Sequence, residues 1–338
     1  MFTDEMRKDF AQNGYIIVPN VLSKEQLNEL NSIYDNHVTE GNDTLSAAST
    51  DQQIRFFMGN REKCKTTDRF GNTYTGRRFW GKAYRDLIDN ETMLPIIEEV
   101  LGDPSWGHAP SHMPQSLRSQ FRLDHDNIHY KPGRKPSDGP DVGGSLHGGP
   151  GNFHITCVYE LKTVENGAGG FGCVPGTHKP ENYEKLRAIE GDWRRNWCNT
   201  EWTDRLPNWN EELSVHHVEA KAGDCILFTE KLVHGTIPWS GKNERRTLFY
   251  KYVPYGMHHG DVAYDVNDPE LTVRQRRIVE FSAYWFNEPR EDKDYSDNPS
   301  LTELHPEARI ESSPTPLQPG MAPPNLRFSE ETKKKLSH

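Results

Sequence analysis

Residues 221–239 read KAGDCILFTEKLVHGTIPW, and the fold is decided by what this stretch contains. A short apolar run, Asp224 to Thr229, is bounded by Ala222-Gly223 on one side and by Glu230-Lys231 on the other, the pattern of a buried β-strand. His234 follows at once, beside Gly235, at the end of an apolar element where an imidazole can be presented to a cavity. Similar short pieces recur on both sides of it: QFRLDHDNIHY at 120–130, FHITCVYELKT at 153–163, VHHVEA at 215–220 and RTLFYKYVPY at 246–255. Gly, Pro and Asp separate them and no helix alternates between them, so the reading is a mainly β chain, a largely antiparallel barrel or sandwich with flanking helices.

The flanks read differently. Residues 9–22 hold a β-rich apolar run, and Ser23-Lys24-Glu25-Gln26 has the S-x-x-Q form of a capping box. Leu27, Leu30, Ile33 and Tyr34 then predict a helix over 24–38, and the apolar positions from Asp86 to Leu101 predict a second, ended by Gly102 and Pro104. Residues 39–78 are polar with weak periodicity. The segment 181–214 carries Trp193, Trp197, Trp202 and Trp209 and reads as a helical excursion packing on the barrel, with a substrate lid as the other reading. Division follows as 1–104, a helical and strand cover; 105–285, the barrel core; and 286–338, a proline-rich arm or tail.

Composition bounds the function. Across 338 residues, aromatic side chains make up 10%, enough for a packed core. No apolar run is long enough to span a bilayer, and MFTDEMRKDF builds no leader, so neither membrane nor secretion is expected. A net charge of -10 disfavours nucleic acid and points to a small-molecule partner. Five scattered cysteines without a Cys-x-x-Cys fit the reducing cytoplasm. The run Gly167-Ala168-Gly169-Gly170-Phe171-Gly172 matches a dinucleotide fingerprint in letters only, because Val174-Pro175-Gly176 follows where a helix must begin. Gly143-Gly144-Ser145-Leu146-His147 lacks the last glycine of a nucleophile elbow.

What remains is His147, in the glycine-rich stretch 143–150, His234, and Arg245, eleven residues beyond His234 at the head of a strand. A guanidinium there can hold a small dicarboxylate at two points. In this order the pieces FAQNGYIIVPNVLSKEQLNEL, RLDHDNIHYKPG, LHGGP, GGFGCVPGTHKP, KAGDCILFTEKLVHGTIPW and ERRTLFYKY resemble the phytanoyl-CoA dioxygenase family of iron(II) and 2-oxoglutarate-dependent oxygenases, up to about residue 257. The resemblance implies a double-stranded β-helix, the jelly-roll or cupin-like barrel, with iron(II), 2-oxoglutarate and O2 as cofactors. It implies His147 and His234 as metal ligands, Arg245 on the distal carboxylate of 2-oxoglutarate, Thr236 as its hydroxyl helper, and Asn127 and Tyr159 facing the cosubstrate. The turn Pro175-Gly176-Thr177-His178 is expected to be structural, with no chemistry at His178.

One position departs from the family. A carboxylate is expected two residues after the first histidine, and Gly149 stands there. Two histidines and a carboxylate cover one face of iron; removing the carboxylate opens a site. Three readings follow: a halogenase-like centre in which chloride takes the open site at Gly149; an aliphatic hydroxylase in which another carboxylate, such as Asp126, Asp141 or Glu160, or water completes the shell; and a non-catalytic binding protein on the same fold.

Overall fold

The computed structural model describes residues 2–38, 55–57, 61–67, 73–106, 121–138, 146–190, 215–254 and 264–279. They fall into two compact units, one within Met1–Arg61 and Asp126–Lys251, the other within Glu62–His125 and Tyr252–His338. The Trp193 to Trp209 segment, Asp141 and the tail from 286 lie outside the described residues.

The first unit opens with α1 (Asp4–Asn13), a helix not among those the sequence predicts. Its signals are local: Thr3 accepts the Met6 N–H, Asp4 and Glu5 occupy the first turn, and Gly14 closes the helix at φ 81°. Strand β1 (Tyr15–Val18) follows, then α2 (Lys24–Val38), opened by the expected capping box. Gln26 N–H donates to Ser23 Oγ at 3.2 Å and Ser23 N–H to Gln26 Oε1 at 2.9 Å.

Strands β2 (Arg55–Phe57), β5 (Phe121–Lys131), β6 (Ile155–Glu160), β9 (Cys225–Thr229) and β11 (Arg245–Pro254) join β1 in a six-stranded sheet of order β1-β9-β6-β11-β5-β2. A second sheet has the order β10-β7-β8, from β10 (Val233–Ile237), β7 (Gly170–Val174) and β8 (His216–His217). β1 is thus an edge of the main sheet rather than cover, paired antiparallel with β9 from Tyr15 opposite Phe228 to Val18 opposite Cys225. β9 also pairs with β6, Ile155 lying opposite Thr229. Every residue of β6, β7, β9 and β10 is buried, which is why their sequences run apolar without clean alternation.

Side chains from both sheets meet in one core: Val158, Phe171, Cys173, Ile226, Phe228 and Phe249, with the Phe171 and Phe228 rings 4.7 Å apart. On the other face of the small sheet, Tyr183 and Leu186 of α5 (Pro180–Glu190) pack on Val174, Val233, Ile237 and Leu146. That cluster seats the residue just before His147. The arrangement is the double-stranded β-helix with few flanking helices.

The second unit contains the hairpin β3 (Arg61–Thr67) and β4 (Thr73–Phe79), and helices α3 (Lys82–Arg85), α4 (Leu94–Gly102) and α6 (Val273–Val279). The helix expected over 86–101 begins only at Leu94. Pro95 occupies its first turn, where a missing N–H is harmless, while Asn90 Oδ1 accepts the N–H groups of Thr92 and Met93 and holds the preceding residues as a turn. Asp89, buried, accepts from Arg274 Nε at 2.7 Å and Gln275 Nε2 at 2.9 Å and ties α6 down. Among the described residues no helix is long and apolar enough to cross a membrane.

Asp224, at the head of β9, joins distant parts of the first unit. Its two carboxylate oxygens accept the Asn20 and Lys221 N–H groups, each at 2.9 Å. Asp224→Ala leaves both amides without acceptors, and we expect a loss of about 2–4 kcal/mol. It should appear as a lower urea midpoint with an unchanged slope; a midpoint equal to wild type would show that water replaces the carboxylate.

Candidate active site

Two backbone hydrogen bonds set the geometry. His147 N–H donates to His234 O and His234 N–H to His147 O, both at 2.8 Å, so an isolated bridge fastens the loop at 147 to β10. The imidazole centroids stand 4.2 Å apart. Thr177 supports β10 from behind, its hydroxyl accepting the Val233 N–H at 2.9 Å and donating to Val174 O at 2.6 Å. The turn at 175–178 therefore acts as a brace, and His178 is turned toward α1, its Nε2 3.2 Å from Ala11 O.

His234 is buried, and its Nδ1 lies 2.7 Å from Leu232 O. A carbonyl only accepts, so Nδ1 carries the hydrogen and Nε2 presents a lone pair. Facing that lone pair at 3.4 Å is Oε2 of Glu230. The other oxygen of Glu230, Oε1, accepts from Thr156 Oγ1 and from Lys251 Nζ, both at 2.8 Å. Burial, then the neighbouring His147, pushes His234 down to about 3, so the ring is neutral at neutral pH. Burial alone would raise Glu230, but Lys251, with His234 and His147 beyond it, holds it well below the usual carboxylate range. One ligand atom from each of His147, Glu230 and His234 lies within 4.8 Å of the others; His147 is exposed and the other two are buried.

A second charged group lies along the same strands. Arg245 is buried at the head of β11, its Nη2 3.8 Å from Glu160 Oε1, and Thr247 Oγ1 donates to Glu160 Oε2 at 2.6 Å. Gly170, at φ 94°, makes room for it: a Cβ there would sit 3.3 Å from Arg245 Nε. Gly170 pairs with Ile237, three residues beyond His234, which places the guanidinium about 10 Å along the strand from the imidazole. A five-carbon dicarboxylate bridges such a gap. Thr236, two residues from His234, shares its face of β10.

Period-two alternation sorts the remaining residues. Thr156 and Glu160 on β6, and Arg245, Thr247 and Lys251 on β11, share the site face. Tyr159 lies one residue out of phase, fully buried with its ring 5.7 Å from Tyr250 in an edge-on contact, so it points away from the site and the cosubstrate role expected of it does not fit. Asn127 shares a face of β5 with His129, whose ring lies 4.3 Å from Phe249, and Asn127 Oδ1 is buried with no hydrogen-bond partner among the described residues. Burial, then Arg245 and Lys251, pushes His129 well below its ordinary value. The sequence reading did not single out Glu230, Lys251 or Thr156. The signal for Lys251 was the alternation Arg245, Thr247, Phe249, Lys251; Glu230, in a turn, had none. Asp126 and Glu160, expected as replacement carboxylates, do not join the histidine cluster.

The family model for phytanoyl-CoA dioxygenases (PhyH) matches residues 10–247, which takes in His147, Glu230, His234 and Arg245. The chain belongs to the phytanoyl-CoA dioxygenase family. A curated relative, a probable alpha-ketoglutarate-dependent hypophosphite dioxygenase of Stutzerimonas stutzeri, is 21% identical over 255 residues, 75% of this chain and 78% of its own. Among solved structures, HygX of Streptomyces hygroscopicus with nickel and 2-oxoglutarate covers 78% of this chain and 97% of its own, at 15% identity and a TM-score of 0.48. The epimerase SnoN, with Fe3+, alpha ketoglutarate and nogalamycin RO, covers 75% and 84% at 14% identity and a TM-score of 0.45.

As a member of this family the chain is an iron(II) and 2-oxoglutarate-dependent oxygenase, and its side chains fit both cofactors. Two acceptors, His234 Nε2 and Glu230 Oε2, face each other at 3.4 Å beside a third donor atom on His147, an arrangement that a cation stabilises. The buried cation Arg245 and the open acceptor of Asn127 fit a polar cosubstrate.

Glu160 gives the site a pH signature. Burial pushes its carboxyl up from 4.5 to about 6, with Arg245 and the Thr247 hydroxyl pulling the other way. The neutral acid is the favoured form in the fold, so its contribution is complete below about 4.5 and lost as pH rises through about 6. Across that window wild type should lose about 2 kcal/mol relative to Glu160→Gln, read from urea midpoints at stepped pH. A pH-independent difference would mean that Arg245 keeps Glu160 ionised throughout.

Proposed function

We propose that the protein hydroxylates an aliphatic carbon of a small molecule, with His147 and His234 holding iron(II) and Arg245 holding the far carboxylate of 2-oxoglutarate. The observation that carries this reading is the backbone bridge that brings the two imidazoles together on strands whose far end presents a buried guanidinium. When bound, iron with 2-oxoglutarate and O2 supplies the oxidising power that takes a hydrogen atom from an unactivated carbon. The chain supplies placement. Thr236 and Asn127 offer a hydroxyl and an amide to the cosubstrate, Gly170 leaves space for Arg245, and the packed Phe171, Phe228 and Phe249 keep water from the buried side. The exposed side of His147 is where substrate enters.

A second reading, halogenation, rests on Gly149, which leaves the position of the family carboxylate without a side chain. Which small molecule is taken follows from succinate formation across a metabolite panel. We place the enzyme in the cytoplasm, which suits five scattered cysteines without a Cys-x-x-Cys.

Under anaerobic conditions iron(II) and 2-oxoglutarate should together give the weak visible charge-transfer band of a chelate, and His147→Ala or His234→Ala should abolish it. A band that survives in both variants places the metal elsewhere. Arg245→Ala should raise the KM for 2-oxoglutarate at least about 30-fold, corresponding to roughly 2–5 kcal/mol for a desolvated charge pair. Surplus cosubstrate should restore part of the turnover; an unchanged KM would remove Arg245 from the cosubstrate site.

A further inference from the structure

We propose that Glu230 supplies the carboxylate ligand that a His-x-Asp pair would carry at position 149, so that the metal triad of this chain is His147, Glu230 and His234. The inference rests on the iron reading above and bears on which of its two chemistries the site performs.

The backbone of the loop after His147 disfavours a ligand side chain. Gly148 and Gly149 are both buried, at φ 126° and 139°, values that L side chains rarely adopt. A Cβ on Gly148 would lie 2.1 Å from Leu232 O, the carbonyl that also accepts from His234 Nδ1. The loop is therefore pressed backbone to backbone against the entry to β10, and the same contact that orients His234 excludes a side chain at 148. An aspartate at 149 would be strained by its φ alone.

Glu230 meets the requirement from another direction. It lies in the turn between β9 and β10, four residues before His234, and its N–H donates to His154 O at 3.0 Å. Thr156 and Lys251 occupy Oε1 and leave Oε2 aimed at the histidine pair. A carboxylate held in this way offers one oxygen, not two. Two imidazoles and one carboxylate oxygen would cover one face of an ion, and 2-oxoglutarate with O2 would take up the remaining positions. None would be left for a halide, and a glycine at 149 would then not by itself make a halogenase.

The test is anaerobic titration of wild type, Glu230→Gln and Glu230→Ala with cobalt(II), followed by visible absorption with 2-oxoglutarate present. Each is run in sodium chloride and in sodium gluconate of equal ionic strength. Wild type should show one spectrum in both salts. Both variants should bind cobalt at least about 10-fold more weakly, the lower end of what even an outer partner of a metal ligand contributes, and the Glu230→Ala spectrum should shift with chloride. Variants with wild-type affinity and spectrum would reduce Glu230 to an ion-pair partner of Lys251, and a chloride-dependent wild-type spectrum would leave the site open at Gly149; either overturns the proposal. Should Glu230→Ala melt early because Lys251 has lost its counter-charge, the double variant Glu230→Ala, Lys251→Met removes both charges. It should show the same weakening, and wild-type affinity in that folded variant also overturns the proposal. His147→Ala and His234→Ala separate the two levels. If they lose cobalt while the Glu230 variants keep it, only the Glu230 ligand fails; if wild type itself takes up no cobalt, the iron reading fails first.

Discussion

The site depends on one pair of backbone hydrogen bonds, the reciprocal N–H to carbonyl contacts between His147 and His234 at 2.8 Å. Far apart in the chain, the two residues are fixed as neighbours by groups that every residue carries, which leaves both side chains free to be chosen for chemistry. The bridge needs close approach, and close approach explains the sequence around it. Gly148 is glycine because its Cβ position is occupied by Leu232 O, and that carbonyl sets the tautomer of His234. Leu146, one residue before His147, is held by Val174, Val233 and α5, so the apolar layer outside the small sheet positions the imidazole inside it. Packing, backbone pairing and ring orientation are one constraint seen at three levels.

The charges in the site follow from the same strands. Lys251 and Arg245 sit on one face of β11, six residues apart, and each lies beside a buried carboxylate, Glu230 and Glu160 respectively. Buried charges are tolerated only when paired and hydrogen-bonded, and each carboxylate also takes a threonine hydroxyl, from Thr156 or Thr247. The two pairs differ in closeness. Lys251 lies 2.8 Å from Glu230, which stays ionised, whereas Arg245 lies 3.8 Å from Glu160, whose carboxyl is pushed up to about 6. The tighter pair stands at the histidines, where a metal requires an anion. The looser pair stands where an incoming carboxylate must compete for the guanidinium.

How much of this could be read in the sequence depended on how local the cause was. The capping box at Ser23 and Gln26, the buried strand 224–229 and the glycine beside His234 depend on neighbours in the chain, and the structure reproduces them. Two departures from the sequence expectation are also local in cause. Pro95 sets the start of α4, and the Thr3 cap and Gly14 close fix α1. Tyr159 is a different case: a strand offers two faces, and a shift of one residue exchanges them, so its orientation waits on the register with β9 and β11. The alternation along β11 put Lys251 on the site face, but what it does there comes from Glu230, whose own place in a turn gave no signal. Neither matches a motif position, and only the pairing of the strands brings them to the histidines.

A coordination shell asks for donor atoms at the right places and is indifferent to the order in which the chain delivers them. In a His-x-Asp pair the histidine and the carboxylate share one strand and one face, which ties the carboxylate to the backbone conformation two residues on. Here Gly148 is pressed against Leu232, and the backbone at 149, at φ 139°, strains any side chain placed there. A glutamate in the β9–β10 turn escapes the conflict because it reaches the same space from the other histidine's side, with a longer side chain that Thr156 and Lys251 hold in place. The substitution changes what the site depends on. A ligand at 149 would be oriented by its own backbone, whereas Glu230 is oriented by two side chains from β6 and β11. Residues with no contact to metal or cosubstrate thereby become part of the precision of the centre.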